Sequence, residues 1–408
     1  MLNIAPFKAI FPRADMVETV SSENFDAQNK QLSVEEMKLN PMSYLHVSKP
    51  HLNFPEEKKN VARHFPFALK KLEQFLKEGV MLKAEPHIYI YRQIKDGRIY
   101  QGVIAGVHAD NYVSEKIKKH ELTRTDKEDE MVGQMRITKT VGTAVLVTYE
   151  KTKEIEDISK SEMLEKPHFD IVQRGVRHTI WIAKNEAKLC DALKALDHIY
   201  IADGHHRSAS LVRYAQEQKE KNPNHTGKEP YNYLQTYFVP SDTIYIYEYN
   251  RLIDGVTNSS YHILKHICEN FEIEKKKKDE AYHPKKKHCF GMYYLGNWYK
   301  LKAKPEIIDD SIPLKCLDVQ ILEDYLLKPV FNIMNSKTDE RLSFVDGTKG
   351  LAFLEERVNK GKADIAFTLF PTEIEQVMAV ADIRATMPPK STWIEPKMRT
   401  GFVVQDLS

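Results

Sequence analysis

Residues 198–212 read HIYIADGHHRSASLV, and this stretch decides how the rest of the chain is interpreted. The residues before Asp203 are mostly β-branched or aromatic, a composition typical of a buried strand. Asp203 and Gly204 form a turn signal, and a helix is predicted to begin at about His205 and to run to about residue 219. The sequence therefore predicts a strand, a tight turn and a helix in direct succession.

This turn has the composition of a phosphate-binding site. The first-turn N–H groups of a helix have no partner inside the helix, and the helix dipole places partial positive charge there. Gly204 lets a ligand approach the backbone, and Asp203 is expected to cap the helix. Further donors and positive charge are expected from three side chains, His205, His206 and Arg207. We therefore predict that residues 203–207 bind phosphate.

Two other interpretations of the turn stay open. An Asp-Gly pair alone is typical of a capped helix whose polar side chains face solvent. A metal site would use His205 and His206, but adjacent helical residues point ~100° apart and do not readily bind one ion. No metal ligands are assigned, and Mg²⁺ near Asp203 is left open.

Composition limits the class of protein. Of the 408 residues, 42% are hydrophobic, and the formal net charge is only +2, which argues against a general nucleic-acid binder. The start of the chain lacks the pattern of a secretory signal, and no window approaches ~18 consecutive apolar residues. The four cysteines show no CxxC spacing, which favours a reducing compartment. We expect a cytoplasmic protein with no membrane segment and small-molecule ligands, and the oligomeric state is left open.

Other patterns predict an α+β fold with a mixed sheet. Helical periodicity is seen at residues 61–79, 187–196 and 317–327, and strand patterns at residues 87–93, 99–107, 143–149, 233–238, 243–249, 365–370 and 402–404. The strands on either side of Pro240 are expected to pair with each other. Linkers are expected at 220–229 and at the Lys-rich segment 274–287. The latter is interpreted as a solvated loop rather than a nucleic-acid patch, because acidic residues interrupt it.

Two more segments supply candidate residues. His120-Glu121 precedes a charged run, and a carboxylate beside a phosphate site can act as a general base towards a substrate hydroxyl. Such a pair is also typical of an exposed surface, and its position relative to the turn is not fixed by the sequence. Residues 387–392 read MPPKST, in which Lys390, Ser391 and Thr392 are candidate phosphate contacts, although the glycines of a Walker A motif are missing. A plain turn is the alternative there.

These segments together resemble known proteins. The DGHHR turn after a strand is similar to the phosphate-binding turn of the ParB/sulfiredoxin-like superfamily. Over most of its length the chain resembles a bacterial family labelled as a domain of unknown function. The matching segments are residues 5–8, 40–47, 90–93, 120–123, 202–207, 367–370 and 387–392.

The resemblance implies a fold and a division of the chain. A ParB/sulfiredoxin-like core is expected at residues 86–250, carrying the His-Glu and DGHHR segments. An irregular and helical region, residues 1–85, is expected to pack on this core. Residues 251–408 are expected to form a C-terminal α+β region that carries the MPPKST segment.

The resemblance also implies an activity, because the characterised relatives of this family are free L-serine kinases that use ADP or ATP. It implies a nucleotide-dependent phosphotransferase for a small hydroxyl metabolite, with Mg²⁺ as a further cofactor. Glu121, next to His120, would be the base, and the DGHHR turn would hold the nucleotide phosphates. Sulfiredoxins carry a catalytic cysteine where this turn has histidine, so reduction of a sulfinic acid is not expected. DNA binding of the ParB type is not expected either, because the sequence shows no helix-turn-helix pattern. The alternatives are a nucleotide-binding switch without kinase activity and a scaffold that binds an anionic metabolite.

Overall fold

The computed structural model of the chain describes residues 1–23, 30–54, 56, 61–277 and 280–408. Their contacts divide them into two compact units. The first unit consists of residues 1–244 and 396–408, and the second of residues 245–395. The expected division into domains at residues 1–85, 86–250 and 251–408 stays a prediction. Contacts group the described residues into these two units.

Most strands of the first unit belong to one large mixed sheet, and the others belong to a smaller one. The strands are β1 (Ile4–Ala5), β2 (Phe7–Pro12), β3 (Met81–His87), β4 (Tyr89–Lys95), β5 (Arg98–His108), β6 (Ile117–Lys118), β7 (Thr140–Val141), β8 (Val145–Tyr149), β9 (Phe169–Gln173), β10 (Val176–Ile182), β11 (Ile199–Asp203) and β12 (Tyr233–Pro240). The large sheet has the order β6-β11-β8-β12-β5-β4-β10-β9, with β1 beside β5, whereas β2, β3 and β7 belong to the smaller sheet. β11 is parallel to β6 and β12 is parallel to β8, whereas the other neighbours are antiparallel.

The helices of the first unit pack against its two sheets. They are α1 (Val17–Val20), α2 (Lys30–Leu39), α3 (Leu45–Ser48), α4 (Phe65–Lys77), α5 (Asp110–Val113), α6 (Thr125–Thr138), α7 (Lys153–Glu162), α8 (Glu186–Lys194) and α9 (His205–Lys221). Every residue of β8 is buried, as expected of a strand covered on both faces. On α9, Leu211 and Tyr214 lie in the same core cluster as Val147 of β8 and Ile201 of β11. This packing fixes the direction in which α9 leaves the sheet.

The second unit is built on an antiparallel sheet. Its strands are β13 (Tyr245–Tyr247), β14 (Tyr249–Ile253), β15 (Phe271–Lys275), β16 (Cys289–Tyr294), β17 (Asn297–Ala303), β18 (Leu342–Asp346), β19 (Ile365–Leu369) and β20 (Trp393–Glu395), and its helices are α10 (Ser260–Asn270), α11 (Asp318–Leu322), α12 (Lys328–Phe331), α13 (Gly350–Asn359) and α14 (Ile374–Asp382). Six strands have the order β15-β17-β16-β19-β14-β18, and β13 pairs with β20. A π-helical turn, Glu323–Leu327, joins α11 to α12.

The chain then returns to the first unit. Its last strand, β21 (Val404–Asp406), pairs with β2 and β7 in a four-stranded sheet of order β3-β2-β21-β7. Gln405 of β21 donates a hydrogen bond to the carbonyl of Tyr233 at 2.6 Å. The two ends of the sequence therefore belong to one structural unit, because β21 is hydrogen-bonded between β2 and β7.

The structure confirms the expected α+β class with a mixed sheet, whereas the ParB/sulfiredoxin-like core stays a prediction. The expected pairing of the strands around Pro240 is wrong, because β12 is bonded on its two sides by β5 and β8, and residues 245–247 pair with β20. The predicted linkers are also wrong as unit boundaries. Residues 222–229 connect α9 to β12 inside the first unit, and 274–287 lies inside the second, with 278–279 outside the described residues. Among the described helices, none has the length and apolar character needed to cross a membrane.

Candidate phosphate-binding site

The parallel pair β6 and β11 brings the His-Glu segment to the DGHHR turn. Ile117 and Ile199 are register partners, as are Lys118 and Tyr200. Parallel strands end at the same edge of a sheet, so the residues that follow each strand emerge side by side. The segment 119–124 therefore lies beside the start of α9, a proximity that the sequence alone left open.

The turn itself depends on Gly204. This residue precedes the first residue of α9 and has φ 107° and ψ 30°, a conformation that side-chain-bearing residues rarely adopt. A Cβ atom at this position would lie 3.0 Å from Nε and Nη2 of Arg207. The absence of a side chain thus lets the guanidinium fold back over the turn.

The prediction that Asp203 caps the helix is wrong. No side chain accepts a capping hydrogen bond, and Gly204 occupies the cap position. The Asp203 carboxylate instead accepts hydrogen bonds from Arg207 and, at 3.1 Å, from Lys397 Nζ. Burial would raise the pKa of Asp203, but these two cations outweigh it and hold that pKa well below its ordinary value. The carboxylate is ionised and occupied by two cations at neutral pH.

Arg207 is oriented by a second contact. Its Nη1 donates to the carbonyl oxygen of Ala144 at 2.6 Å, just before β8. The side chain is 17% exposed, so part of the guanidinium stays accessible at the start of α9. Charge-assisted hydrogen bonds of this kind hold a planar guanidinium in one orientation, which suits recognition of an anion.

His205 is a buried, neutral residue that connects the turn to Glu121. Its Nε2 accepts from the backbone N–H of His120 at 3.4 Å, so the proton of the neutral ring lies on Nδ1. That Nδ1 is 3.5 Å from Oε2 of Glu121, whose side chain is 52% exposed. Burial, followed by the neighbouring His120, lowers the pKa of His205 well below 6.5. The positive charge predicted on His205 is therefore wrong, although its Nδ1–H faces the carboxylate.

His120 packs against His205 from the adjoining segment. The two rings meet edge to face with centroids 4.4 Å apart. Burial lowers the pKa of His120 to about 4, against a smaller opposite effect of Asp203. The Nδ1 atom of His120 is buried and has no hydrogen-bond partner among the described residues. Both imidazoles are thus neutral at pH 7, and His205 contacts the exposed carboxylate of Glu121.

The adjacent histidines hold the His-Glu segment at two points. His205 accepts from His120, and Nε2 of His206 accepts from the backbone N–H of Arg124 at 3.1 Å. Because neighbouring side chains on a helix diverge, one pair can reach two positions four residues apart along the segment. The histidine pair therefore positions Glu121, whichever ligand binds.

Sequence reasoning missed Lys397 and the carbonyl of Ala144. Neither belongs to a recognisable motif, and Lys397 is 194 residues from its partner Asp203. Lys390, Ser391 and Thr392 lie in the second unit. There, Lys390 Nζ donates to the hydroxyl of Tyr249 at 3.3 Å, and Ser391 Oγ donates to the carbonyl of Pro388 at 2.7 Å. Their role as phosphate contacts stays a prediction.

The fold and the site define an α+β protein with a polar turn at the carboxyl end of a sheet strand. The family model described as a protein of unknown function, DUF1015, matches residues 4–320. The chain belongs to that family. No curated protein is significantly similar to it in sequence.

A comparison with solved structures found a free serine kinase among its matches. A variant of that kinase in complex with AMP is 13% identical, with 74% of this chain and 90% of that chain covered and a TM-score of 0.39. The same variant in complex with ADP is 14% identical, with 74% of this chain and 90% of that chain covered and a TM-score of 0.37. A conserved hypothetical protein from Pyrococcus furiosus is 14% identical, with 72% of this chain and 90% of that chain covered and a TM-score of 0.35. These values are too low to transfer an activity to this chain.

Proposed function

We propose that this protein is a nucleotide-dependent phosphotransferase that acts on a small hydroxyl metabolite such as serine. The observation that carries the proposal is the 3.5 Å approach of Glu121 to His205 at the first turn of α9. A carboxylate that acts as a base and a helix N-terminus that suits phosphate are thereby adjacent. Phosphoryl transfer requires mainly such positioning and charge stabilisation.

In the proposed reaction, Glu121 accepts the proton of the substrate hydroxyl. The substrate oxygen then forms a bond to the terminal phosphorus of the nucleotide, and the bond from that phosphorus to the bridging oxygen breaks. The leaving nucleotide is AMP from ADP, or ADP from ATP. First-turn N–H groups of α9 and the accessible part of Arg207 would bear the negative charge.

The described residues fit the phosphates better than they fit a metal ion. Gly204 leaves the backbone open to close approach, and Arg207 is already oriented by Ala144. Asp203 is a poor Mg²⁺ ligand in this arrangement, because Arg207 and Lys397 occupy its two oxygens. Mg²⁺ carried by the nucleotide stays an expectation, and no step of the proposal depends on it.

The two buried histidines have positioning roles in this proposal. His205 directs its Nδ1–H towards Glu121, and His120 supports the ring of His205. Neither imidazole needs to change charge, since burial keeps both neutral. The exposed Glu121 is the residue assigned to proton transfer.

The test is an assay of the purified chain with Mg²⁺, ATP or ADP and a pool of hydroxyl metabolites that includes L-serine, read by mass spectrometry. We expect a phosphorylated product that falls by about 10²-fold or more in Glu121→Gln, because a general base contributes on that order. Glu154→Gln is the matched control, since Glu154 is an exposed carboxylate on α7 of the same unit. Its product yield should equal that of the wild type.

The same samples separate the kinase from its alternatives. Nucleotide should still raise the melting temperature of Glu121→Gln, because the variant keeps the start of α9. No product from either donor, together with a nucleotide-induced rise in melting temperature, would favour a nucleotide-binding switch. No product and no thermal response to nucleotide would leave only an anion-binding scaffold.

A further inference from the structure

A cavity of about 310 Å³ lies in the second unit, at the side of β16 and β17. Its wall combines cationic and apolar groups. The cations come from Lys286 and Lys287, at the end of the Lys-rich segment, and from Lys302 of β17. Pro305 and Ile308 supply apolar surface. The volume is in the range of small-molecule sites, which combine apolar walls with a few convergent polar groups.

Two of the three lysines of this wall are paired with carboxylates, and within the described residues the third is not. Lys287 pairs with Glu373 at 2.5 Å, and Lys302 pairs with Glu272 at 3.2 Å. Lys286 has no ion pair among the described residues. The wall itself contains one carboxylate, Asp310, against three lysines. Lysines that converge on one concave surface raise the local concentration of anions.

The fold holds these lysines in place. Lys302 is the register partner of Cys289 across β16 and β17, so the chain just before β16 lies beside Lys302. His288 has a φ of 63°, and its backbone N–H donates to Oδ1 of Asp318 at 2.8 Å. Asp318 is 7% exposed at the start of α11. The end of the Lys-rich segment is thus fixed to the sheet and to α11 directly after Lys287.

Two polar atoms, one at this wall and one on Asp318 behind it, lack hydrogen-bond partners among the described residues. His288 lines the cavity, and its Nδ1 makes no hydrogen bond in the described part of the chain, although it lies 3.2 Å from Oδ1 of Asp318. Oδ2 of Asp318 likewise has no hydrogen-bond partner there. Buried polar groups without partners are uncommon in folded proteins. The ring nitrogen of His288 is consistent with a wall that a ligand completes, whereas the Asp318 oxygen is not a partner for an anion.

We propose that this cavity binds the phosphate group of a small phosphorylated molecule, as a second anion site in addition to the turn at α9. Lysine acts as a compact point charge. A ligand phosphate, with two negative charges, therefore suits a wall with three lysines better than a ligand carboxylate with one charge does. The apolar surface of Pro305 and Ile308 would contact the organic part of the ligand. This proposal does not depend on the kinase activity proposed above.

The test uses inorganic pyrophosphate with the full-length chain and hydrogen–deuterium exchange read by mass spectrometry. Equal ionic strength is kept with sodium chloride, and citrate is the carboxylate comparison. We expect pyrophosphate to slow exchange in peptides that cover residues 286–308. Lys286→Glu should weaken this effect by about tenfold, because one cation of the wall becomes repulsive.

Lys285→Glu is the matched control. It makes the same change of charge one residue away, at an exposed lysine that does not line the cavity. Its effect on pyrophosphate affinity should be no more than about twofold, because Lys285 does not line the cavity and salt screens an exposed charge that makes no contact with the ligand. Equal losses in the two variants would show diffuse attraction and overturn the proposal, as would equal protection by citrate. Protection confined to peptides around 203–210 would overturn this site and leave the turn at α9 unaffected.

Discussion

Replacing Gly204 with alanine tests whether the turn depends on a backbone that only glycine tolerates. With φ at 107°, an alanine costs about 1–3 kcal/mol in backbone strain. The new Cβ would also lie 3.0 Å from the Arg207 guanidinium, which must shift away from Ala144 and Asp203. Weakening a charged hydrogen bond adds about 1–2 kcal/mol. We therefore expect Gly204→Ala to lower the free energy of unfolding by about 3 kcal/mol.

The assay is urea-induced unfolding followed by the fluorescence of Trp181, which is buried in β10 of the first unit. Trp298 and Trp393, in the second unit, are replaced by phenylalanine in every sample so that only the first unit reports. Gly97→Ala is the control, because Gly97 has φ 75° but nothing lies within 4 Å of its added Cβ. It should cost only about 1 kcal/mol.

A double-mutant cycle isolates the steric part of this effect. In an Arg207→Ala background the guanidinium is gone, so Gly204→Ala should cost about as much as Gly97→Ala. The expected coupling between Gly204 and Arg207 is about 1–2 kcal/mol. A coupling near zero, or equal losses for the two glycine variants in the wild-type background, would refute the reasoning.

Two further predictions concern ionisable side chains of the first unit. Since burial lowers the pKa of His120 from 6.5 to about 4, the unfolded chain binds a proton that the folded chain excludes, and stability present above pH 6.5 is lost as pH falls towards 4. This contribution is about 3 kcal/mol at most. His120→Asn should therefore flatten the dependence of the free energy of unfolding in urea on pH between pH 7 and 4. An unchanged pH dependence would contradict the assignment of this effect to His120. Lys397→Met should destabilise the first unit by about 1 kcal/mol, because Asp203 keeps only one cation. Lys184→Met, which breaks the more exposed pair with Glu165 at 2.7 Å, should change urea unfolding by less than about 0.5 kcal/mol.

Local patterns were sufficient for most elements near the site. The strand before Asp203, the turn at Gly204 and the helix from His205 are all confirmed, because each depends on residues close together in sequence. The strand patterns at residues 87–93 and 99–107 are confirmed for the same reason, and the turn between them has positive φ angles at Asp96 and Gly97, which suit that dipeptide. Helix α4 likewise ends before Gly79, which has a positive φ.

Pairings over long sequence separation were not accessible in this way. The strands on either side of Pro240 looked like a hairpin, yet they belong to different units. The two-residue strand β6 is too short to be recognised by periodicity, although its parallel pairing with β11 places Glu121 at the turn. A short edge strand is specified by its partner rather than by its own residues.

The sequence by itself determined the composition of the turn: an open glycine, a cationic first turn and a carboxylate elsewhere in the chain. Only the tertiary structure decided which of those charges is available. Burial neutralises His205, and Asp203 is matched by Arg207 and by Lys397, which is 194 residues away. The physical reason is that charge and hydrogen bonding depend on desolvation and on neighbours in space, which a linear sequence does not contain.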